Sequence, residues 1–294
     1  MRTVRVQKAT HWYEPFRPEK VLRSIERAGA NTELATMVLA RLQDKLARGI
    51  STADIATRIS LELDALDRRV AARYRLRRAL LELGPEGYPF EKYVGKIFSH
   101  YGYTVKVGQH ISGRCISHEV DVDAEKDNRR LMIECKYHNR RGVQSDAKVA
   151  MYTWARFEDI RDRPRSRGAG APLLEKNDSP FTEGWLVTNT KVTRDALAFG
   201  NCVGLKVLGW DEPHERGLQW IIESANLYPI TCLPGLNSFQ RKLLLQHDLL
   251  LCHEVIAQSA MLARIGFSPA AATQLVITAR QVIGPETPPN LSTL

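Results

Sequence analysis

Apolar positions in the first quarter of the chain recur every three or four residues, the period of a helix with one buried face. Ahead of them, Thr3-Val-Arg-Val-Gln7 alternates and reads as a strand. Pro18 suits the first turn of a helix that runs to Ala28, with Val21, Leu22 and Ile25 on one face and Gly29 ending it. A second helix follows Asn31 and Thr32, with Leu34, Val38, Leu39 and Leu42 inward. Ser51 or Thr52 caps a third, which carries Ile55, Ile59 and Leu63. A fourth, Asp67 to Leu83, holds Arg68, Arg69, Arg73, Arg75, Arg77 and Arg78, which read as the solvated face of a small bundle, and Gly84-Pro85 stops it.

From Tyr88 the pattern becomes mixed. Tyr88-Pro-Phe90-Glu91 opens an amphipathic helix with Phe90, Val94, Ile97 and Phe98 inward, and Tyr101 to Val107 turns into a strand. His118 to Asp123 and Ile133 to Lys136 alternate as strands do. A helical stretch from about Gln144 to Asp159, a loop rich in Arg, Gly and Pro from Arg161 to Gly184, a strand at Trp185-Leu-Val-Thr188, a helix capped by Thr193 and a strand from Gly204 to Trp210 follow. That succession is an α/β layered pattern. The last part is helical: a turn at Leu233-Pro-Gly235-Leu236, a long helical region from Phe239 to Ala263 breaking near Asp248, a turn at Ile265-Gly266-Phe267, and a helix capped by Ser268. Glu286 to Leu294 reads as a loose tail.

The alternating strands carry the candidate chemistry. Side chains two apart on a strand share a face, so Glu134 and Lys136 project together while Ile133 and Cys135 point the other way, and Asp121 projects away from Val120 and Val122. Lys126-Asp127-Asn128-Arg129 is polar enough to turn, and a hairpin would bring two acids and a lysine onto one surface. Two carboxylates hold a hard divalent cation such as Mg²⁺, and a lysine beside them orients or deprotonates a water or stabilises charge on phosphate. Those are the parts needed to hydrolyse a phosphodiester. Arg129, Arg130, Arg140, Arg141 and Lys148 are candidate contacts for flanking phosphates. The competing reading is a solvated strand face, since acid-x-acid and acid-x-lysine pairs are common there. Cys115-x-x-His118 with Cys135-x-x-His138 is a second candidate metal set, for zinc, opposed by the inward direction expected of Cys135.

Composition narrows the partners. A net charge of +9 favours a polyanion. The five scattered cysteines fit a reducing cytosol better than a disulfide scaffold. No apolar run reaches membrane-spanning length and the start Met1-Arg-Thr-Val-Arg-Val lacks a signal core, so a cytoplasmic protein with no membrane partner is expected.

Two families are resembled. Val6-Gln-Lys8, Glu14-Pro-Phe16-x-x-x-Lys20-Val-x-x-Ser24-Ile25-x-x-Ala28 and Ile50-Ser-Thr52-x-Asp54-Ile55 resemble the ATP-cone, a regulatory module that binds ATP or dATP in ribonucleotide reductases and in their transcriptional repressor. The resemblance implies that Lys8 and Lys20 approach the phosphates and that Glu14 and Thr52 lie near the nucleotide. Where the family usually has Lys-Arg-Asp-Gly, this chain has Lys8-Ala9-Thr10-His11. No GxxxxGK[ST] or GxGxxG occurs, so the nucleotide is expected as an effector rather than a fuel. Phe90-Glu91, Tyr101-Gly-Tyr103, Val120-Asp121-Val122, Ile133-Glu134-Cys135-Lys136 and Val187-Thr188-Asn189 resemble the PD-(D/E)xK nuclease superfamily, and within it the Mrr-like restriction endonucleases. By matching position, this implies Asp121 and Glu134 as metal ligands, Lys136 as the catalytic lysine, Glu91 as a further acid at the metal and Gln144 as a helix glutamine. The C-terminal turns weakly resemble helix-hairpin-helix units, which present backbone amides to DNA phosphates.

The expectation is a multidomain chain. A helical ATP-cone with short N-terminal strands occupies 1–84, a central α/β restriction-endonuclease-like domain with a mixed sheet 85–225, and an all-α domain for DNA binding or packing 226–294. The expected activity is that of a Mg²⁺- or Mn²⁺-dependent DNA endonuclease regulated by ATP or dATP, serving restriction or defence as a homodimer or higher even oligomer. The alternatives are a nucleotide-responsive DNA-binding regulator with a nuclease fold but little cleavage, and a junction-resolving repair nuclease.

Overall fold

The computed structural model describes residues 5–7, 12–46, 49–140, 142–162 and 179–284. They form two compact units, one joining the segment up to residue 79 with residues 228–284, the other holding residues 80–227. The first unit begins with a short antiparallel pair, β1 (Arg5–Gln7) and β2 (Tyr13–Pro15). Four helices follow: α1 (Pro18–Glu26), α2 (Thr32–Gln43), α3 (Thr52–Leu66) and α4 (Arg68–Leu81). Local chemistry sets their starts. Asn31 accepts from Leu34 N at 2.8 Å, and Ser51 and Asp54 form a reciprocal capping box. Ile25, Val38, Leu42, Ile59 and Leu63 are buried from all sides and form the core, with the helical spacing that predicts them.

The second unit is a mixed sheet with helices. Its elements are α5 (Tyr88–His100), β3 (Thr104–Ser112), β4 (Ser117–Lys126), β5 (Arg129–Lys136), β6 (Gln144–Ser145), α6 (Ala147–Arg161), β7 (Glu183–Thr188), β8 (Lys191–Val192), α7 (Arg194–Val203), β9 (Lys206–Leu208) and α8 (Leu218–Ser224). The main sheet runs β3-β4-β5-β7-β9, antiparallel across β3, β4 and β5 and parallel across β5, β7 and β9, while β6 and β8 make a small parallel pair. Gly95 lets α5 lie close on β3, because a Cβ there would stand 3.1 Å from a Val107 methyl. The helix expected from Gln144 starts only after Asp146, whose side chain accepts from Val149 N at 3.2 Å. Gln144 is therefore an exposed strand residue, which corrects its assignment to a helix. Helix α8, which buries Leu218, Ile221 and Ile222 on one face, is an element beyond those expected from the sequence.

The chain then returns to the first unit through α9 (Ser238–Gln246), α10 (Cys252–Ala257), α11 (Ser259–Arg264) and α12 (Pro269–Ile283). The break near Asp248 is real: that residue has φ +61° between α9 and α10. The segment from Tyr228 to α12 is hydrogen-bonded to arginines of α4. Arg68 donates to Thr278 Oγ1 at 3.0 Å and Gln281 Oε1 at 2.8 Å, Arg73 to Tyr228 Oη at 3.3 Å, and Arg75 to Cys232 O at 2.9 Å. Arg75 also pairs with Asp64 on α3. The expected solvated face is thus a packing seam at Arg68, Arg73 and Arg75, while Arg77 and Arg78 are exposed as expected. An isolated reading of α4 misses this because the groups that satisfy its arginines lie more than 150 residues away.

Candidate functional site

Asp121 sits where β4 changes face. Val122 lies opposite Ile133 and Asp123 opposite Met132, so Val122 and Met132 point to opposite sides of the sheet. Val120, two residues earlier, nevertheless packs with Met132 against Phe157 and Ile160 of α6. The switch falls at Asp121. Its cross-strand neighbour Gly108, between the paired Val107 and Gln109, has φ +65°, a conformation that favours glycine. Released from the regular ladder, Asp121 accepts a hydrogen bond through Oδ2 from Cys135 N at 2.6 Å. Cys135 is the middle residue of Glu134-Cys135-Lys136. It is buried, while Lys136 on the next position is exposed, as strand alternation requires.

The acids around this point are crowded. Burial pushes the Glu134 carboxyl up to about 7, and the Asp121 charge adds to the rise, outweighing Arg156 and Lys136. Glu91, in the first turn of α5, is also pushed up to about 7, by burial first and then by Asp121 and Glu119. Asp121 itself is raised, chiefly by burial, against the hydrogen bond from Cys135 and the Arg156 charge. Glu91, Glu119, Asp121 and Glu134 therefore share one electrostatic neighbourhood with two cations.

Arg156 is the residue that sequence reasoning missed. It is buried on α6, donating through Nη1 to Glu134 Oε2 and through Nη2 to Glu119 O. A signal for it existed. Ala150, Thr153, Phe157 and Ile160 form the buried face of α6, and an arginine on the same face needs an acid partner to offset its desolvation.

Among the described residues, no three His, Cys, Asp or Glu side chains are gathered as a metal site, so Glu91 is not brought into a three-ligand group. Asp121 and Glu134 remain a pair of hard oxygen donors with excess negative charge in a half-buried place. That donor set fits a hard divalent cation, which binds through one or two carboxylates and keeps several waters.

Other candidate residues lie elsewhere. Arg130 is buried and grips Asp123 through Nε at 3.0 Å and Nη2 at 2.7 Å, with its guanidinium 4.2 Å over Phe181. Arg129 pairs with Glu183 at 2.7 Å. Both stand at the start of β5, roughly 20 Å along the strand from Lys136. Their expected role as phosphate contacts beside the acids is corrected to a structural one. Arg140 and Lys148 are exposed, and Arg141 lies outside the described residues. His118 meets Asp159 of α6 at 2.7 Å, and Asp159 also accepts from Cys115 N and Ile116 N. His118 therefore fastens the β3–β4 connection to α6. Cys115 is exposed, and burial holds the Cys135 thiol protonated, so the Cys/His pairs do not form a zinc site.

In the first unit, Glu14, Lys20 and Thr52 line one cleft, floored by Val6, Ile55 and Ile59 and edged by Arg17, Ser24 and Tyr74. Lys20 Nζ stands 3.6 Å from Glu14 Oε2. Lys8 lies outside the described residues. Arg17, Ser24 and Tyr74 were not anticipated. An apolar floor with cationic edges is the lining that a base carrying phosphates requires.

Comparison with known proteins places both ends of the chain. Residues 4–82 match the ATP cone domain, and residues 228–283 match the model described as AF1548-like, C-terminal. An uncharacterized protein of Archaeoglobus fulgidus is 35% identical over 192 residues, which is 65% of this chain and 100% of that relative. The chain belongs to the AF1548-like family. A solved structure described as "Crystal Structure of Protein of Unknown Function AF1548" is 34% identical, with a TM-score of 0.55, over 67% of this chain and 98% of that one. The N-terminal module of this AF1548-like chain is thus an ATP-cone, and the two matched stretches fall in the same compact unit. The acidic cluster lies between them, so its chemistry rests on its own geometry.

Proposed function

We propose that the chain is a divalent-metal-dependent DNA endonuclease whose activity responds to ATP or dATP at the ATP-cone. The observation that carries the reading is the 2.6 Å hydrogen bond from Cys135 N to Asp121 Oδ2. It fastens an aspartate from one strand to the centre of a Glu-x-Lys segment on the next, leaving Glu134 and Lys136 on the same face. Mg²⁺ or Mn²⁺, held by Asp121 and Glu134, would polarise the scissile phosphate and lower the pKa of an attacking water. Cys135 N fixes the Asp121 carboxylate, and Arg156 fixes Glu134 from behind. The exposed Lys136 ammonium donates to the water or to a phosphate oxygen and balances charge that builds on phosphate. Glu91, with its carboxyl near 7, is able to exchange a proton with that water at neutral pH. A role in restriction or defence is the setting this activity implies.

The contact between Arg156 and Glu134 favours one second reading, a nucleotide-responsive DNA-binding regulator, because a guanidinium already neutralises one of the two proposed ligands. Full-length protein with supercoiled plasmid separates the two. Nicking or linearisation is expected with Mg²⁺ or Mn²⁺ and not with EDTA, with a rate that changes on adding ATP or dATP. Asp121→Ala and Lys136→Ala should each lower the rate about 100-fold or more, the scale of a lost acid–base or electrostatic group, with folding unchanged by circular dichroism. Undiminished cutting by either variant refutes the site, and binding without any cutting by the wild type favours the regulator.

A further inference from the structure

Two exposed tyrosines stand one helical turn from the acidic cluster, on different helices. Tyr88 opens α5 and is 52% exposed; three and four residues on come Glu91 and Lys92. Tyr152 on α6 is 63% exposed, and four residues on comes Arg156, which holds Glu134. A cation accompanies each ring: Lys92 Nζ lies 5.1 Å from the Tyr88 centroid and Arg156 Cζ 5.4 Å from that of Tyr152. Residues four apart share a helix face. Tyr88, Lys92 and Lys96 thus form one stripe, and Lys148 and Tyr152 another that leads to Arg156. The order is ring, cation, cation along the first and cation, ring, cation along the second.

A surface with that arrangement fits a particular ligand. Exposed tyrosines on their own are ordinary. Here Tyr88 is paired with Lys92 and lies within a turn of Glu91, and Tyr152 is paired with Arg156, the buried guanidinium that holds Glu134. Aromatic rings interleaved with basic side chains bind nucleic acid by stacking bases on the rings while the cations follow the phosphates. Bases inside a duplex are stacked on each other and offer no free face, so such rings engage only single strands or extruded bases. Phosphate contacts alone serve a duplex and need no rings.

We propose that Tyr88 and Tyr152 are stacking platforms for unpaired bases flanking the scissile phosphate, so that the substrate is single-stranded or locally unpaired nucleic acid. The placement of the scissile bond rests on the nuclease reading, whereas the binding does not. Binding of the full chain is therefore measured in EDTA, where no cleavage intervenes, by fluorescence anisotropy. The probes are a labelled single-stranded oligonucleotide and a duplex of the same sequence, each over a range of salt. Tyr88→Ala with Tyr152→Ala should weaken single-strand binding by roughly fivefold to a hundredfold per ring, the usual effect of removing a stacking aromatic. Duplex affinity and the salt slope should hold, since no phosphate contact is lost. Tyr→Trp at both positions should retain binding. Single-strand affinity within twofold of wild type overturns the proposal. So does an equal loss for the duplex, or a change of oligomeric mass in the alanine variant, which would make the rings a self-association surface. If this binding pattern holds while plasmid is never cut, the platforms stand and the nuclease reading falls. If cutting needs Asp121 but binding ignores both rings, the reverse is true.

Discussion

Glu134→Gln isolates the electrostatic strain at the acidic cluster. The carboxyl of Glu134 moves from its ordinary 4.5 to about 7 in the folded chain, through burial and then the Asp121 charge. Below 4.5 the group is protonated folded and unfolded, and costs nothing. As pH rises toward 7, the unfolded chain releases the proton while the folded chain keeps it, so stability is lost, and the loss is complete above about 7. At about 1.4 kcal/mol per pH unit the whole window is worth about 3 kcal/mol, of which about 2–3 kcal/mol falls between pH 5 and 8. Glutamine still accepts a hydrogen bond from Arg156 but does not titrate. The attraction of Arg156 for an ionised Glu134 is already contained in that shift, which it lowers, and the guanidinium itself stays protonated throughout. Glu91, raised for the same reasons, titrates in both proteins and cancels to first order. Urea unfolding in EDTA at several pH values measures the difference. Tryptophan fluorescence reports mainly on residues 80–227, which hold four of the five tryptophans: Trp154, Trp185, Trp210 and Trp220. Wild type should lose about 2–3 kcal/mol more than the variant between pH 5 and 8. Mg²⁺ at pH 8 should restore stability to wild type and not to the variant. Parallel stability curves for the two proteins would refute the reasoning.

Arg75→Met takes its guanidinium from the Asp64 carboxylate and the Arg75 donor from Cys232 O. The expected cost is about 3 kcal/mol in the melting of the first unit, partly recovered by adding Asp64→Asn; a loss under about 1 kcal/mol sinks the assignment of α4 as a packing seam. Lys20→Ala with Thr52→Val should weaken ATP or dATP binding at least about tenfold by isothermal titration with the circular dichroism spectrum unchanged, while equal affinity rejects the cleft they line.

What the sequence reveals of this molecule is what short-range chemistry decides. Asn31, Ser51, Thr193 and Ser268 accept from backbone N–H groups three residues on, so each cap is readable within one turn of helix. Gly29, Gly235 and Gly266 take positive φ where chain breaks are expected. The alternation around Glu134 likewise places Cys135 inward without knowledge of its neighbours. Long-range partners are what alternation and periodicity do not contain. Arg130 looks like surface charge until Asp123 and Phe181 close around it. The partners of Arg156, Glu134 and Glu119 O, are found only once α6 lies against β4 and β5. The change of face at Asp121 depends on Gly108, a residue of another strand, and no count along β4 alone discloses it. Gln144 falls outside its expected helix because β8, more than 40 residues later, recruits it into a strand pair.

Helix α4, within the ATP-cone match, makes hydrogen bonds to the stretch that matches the AF1548-like C-terminal model. Tyr74 lines the nucleotide cleft, and its immediate neighbours Arg73 and Arg75 donate to Tyr228 and Cys232 at the start of the C-terminal segment. Successive residues on a helix point about 100° apart, so one turn presents Tyr74 to the cleft and the arginines on either side of it to Tyr228 and Cys232. Thr231 adds a hydrogen bond to Ala79 O at 2.8 Å, and Arg68 reaches α12 from the other end of α4. All of these contacts end on the one element that also touches the cleft. A nucleotide that shifts α4 by a fraction of an ångström would therefore strain these arginine hydrogen bonds, whose acceptors on Tyr228, Cys232 and Thr278 belong to buried residues. The ATP-cone and the AF1548-like C-terminal segment are thus tied by hydrogen bonds within one compact unit, although residues 83–227 lie between them in sequence.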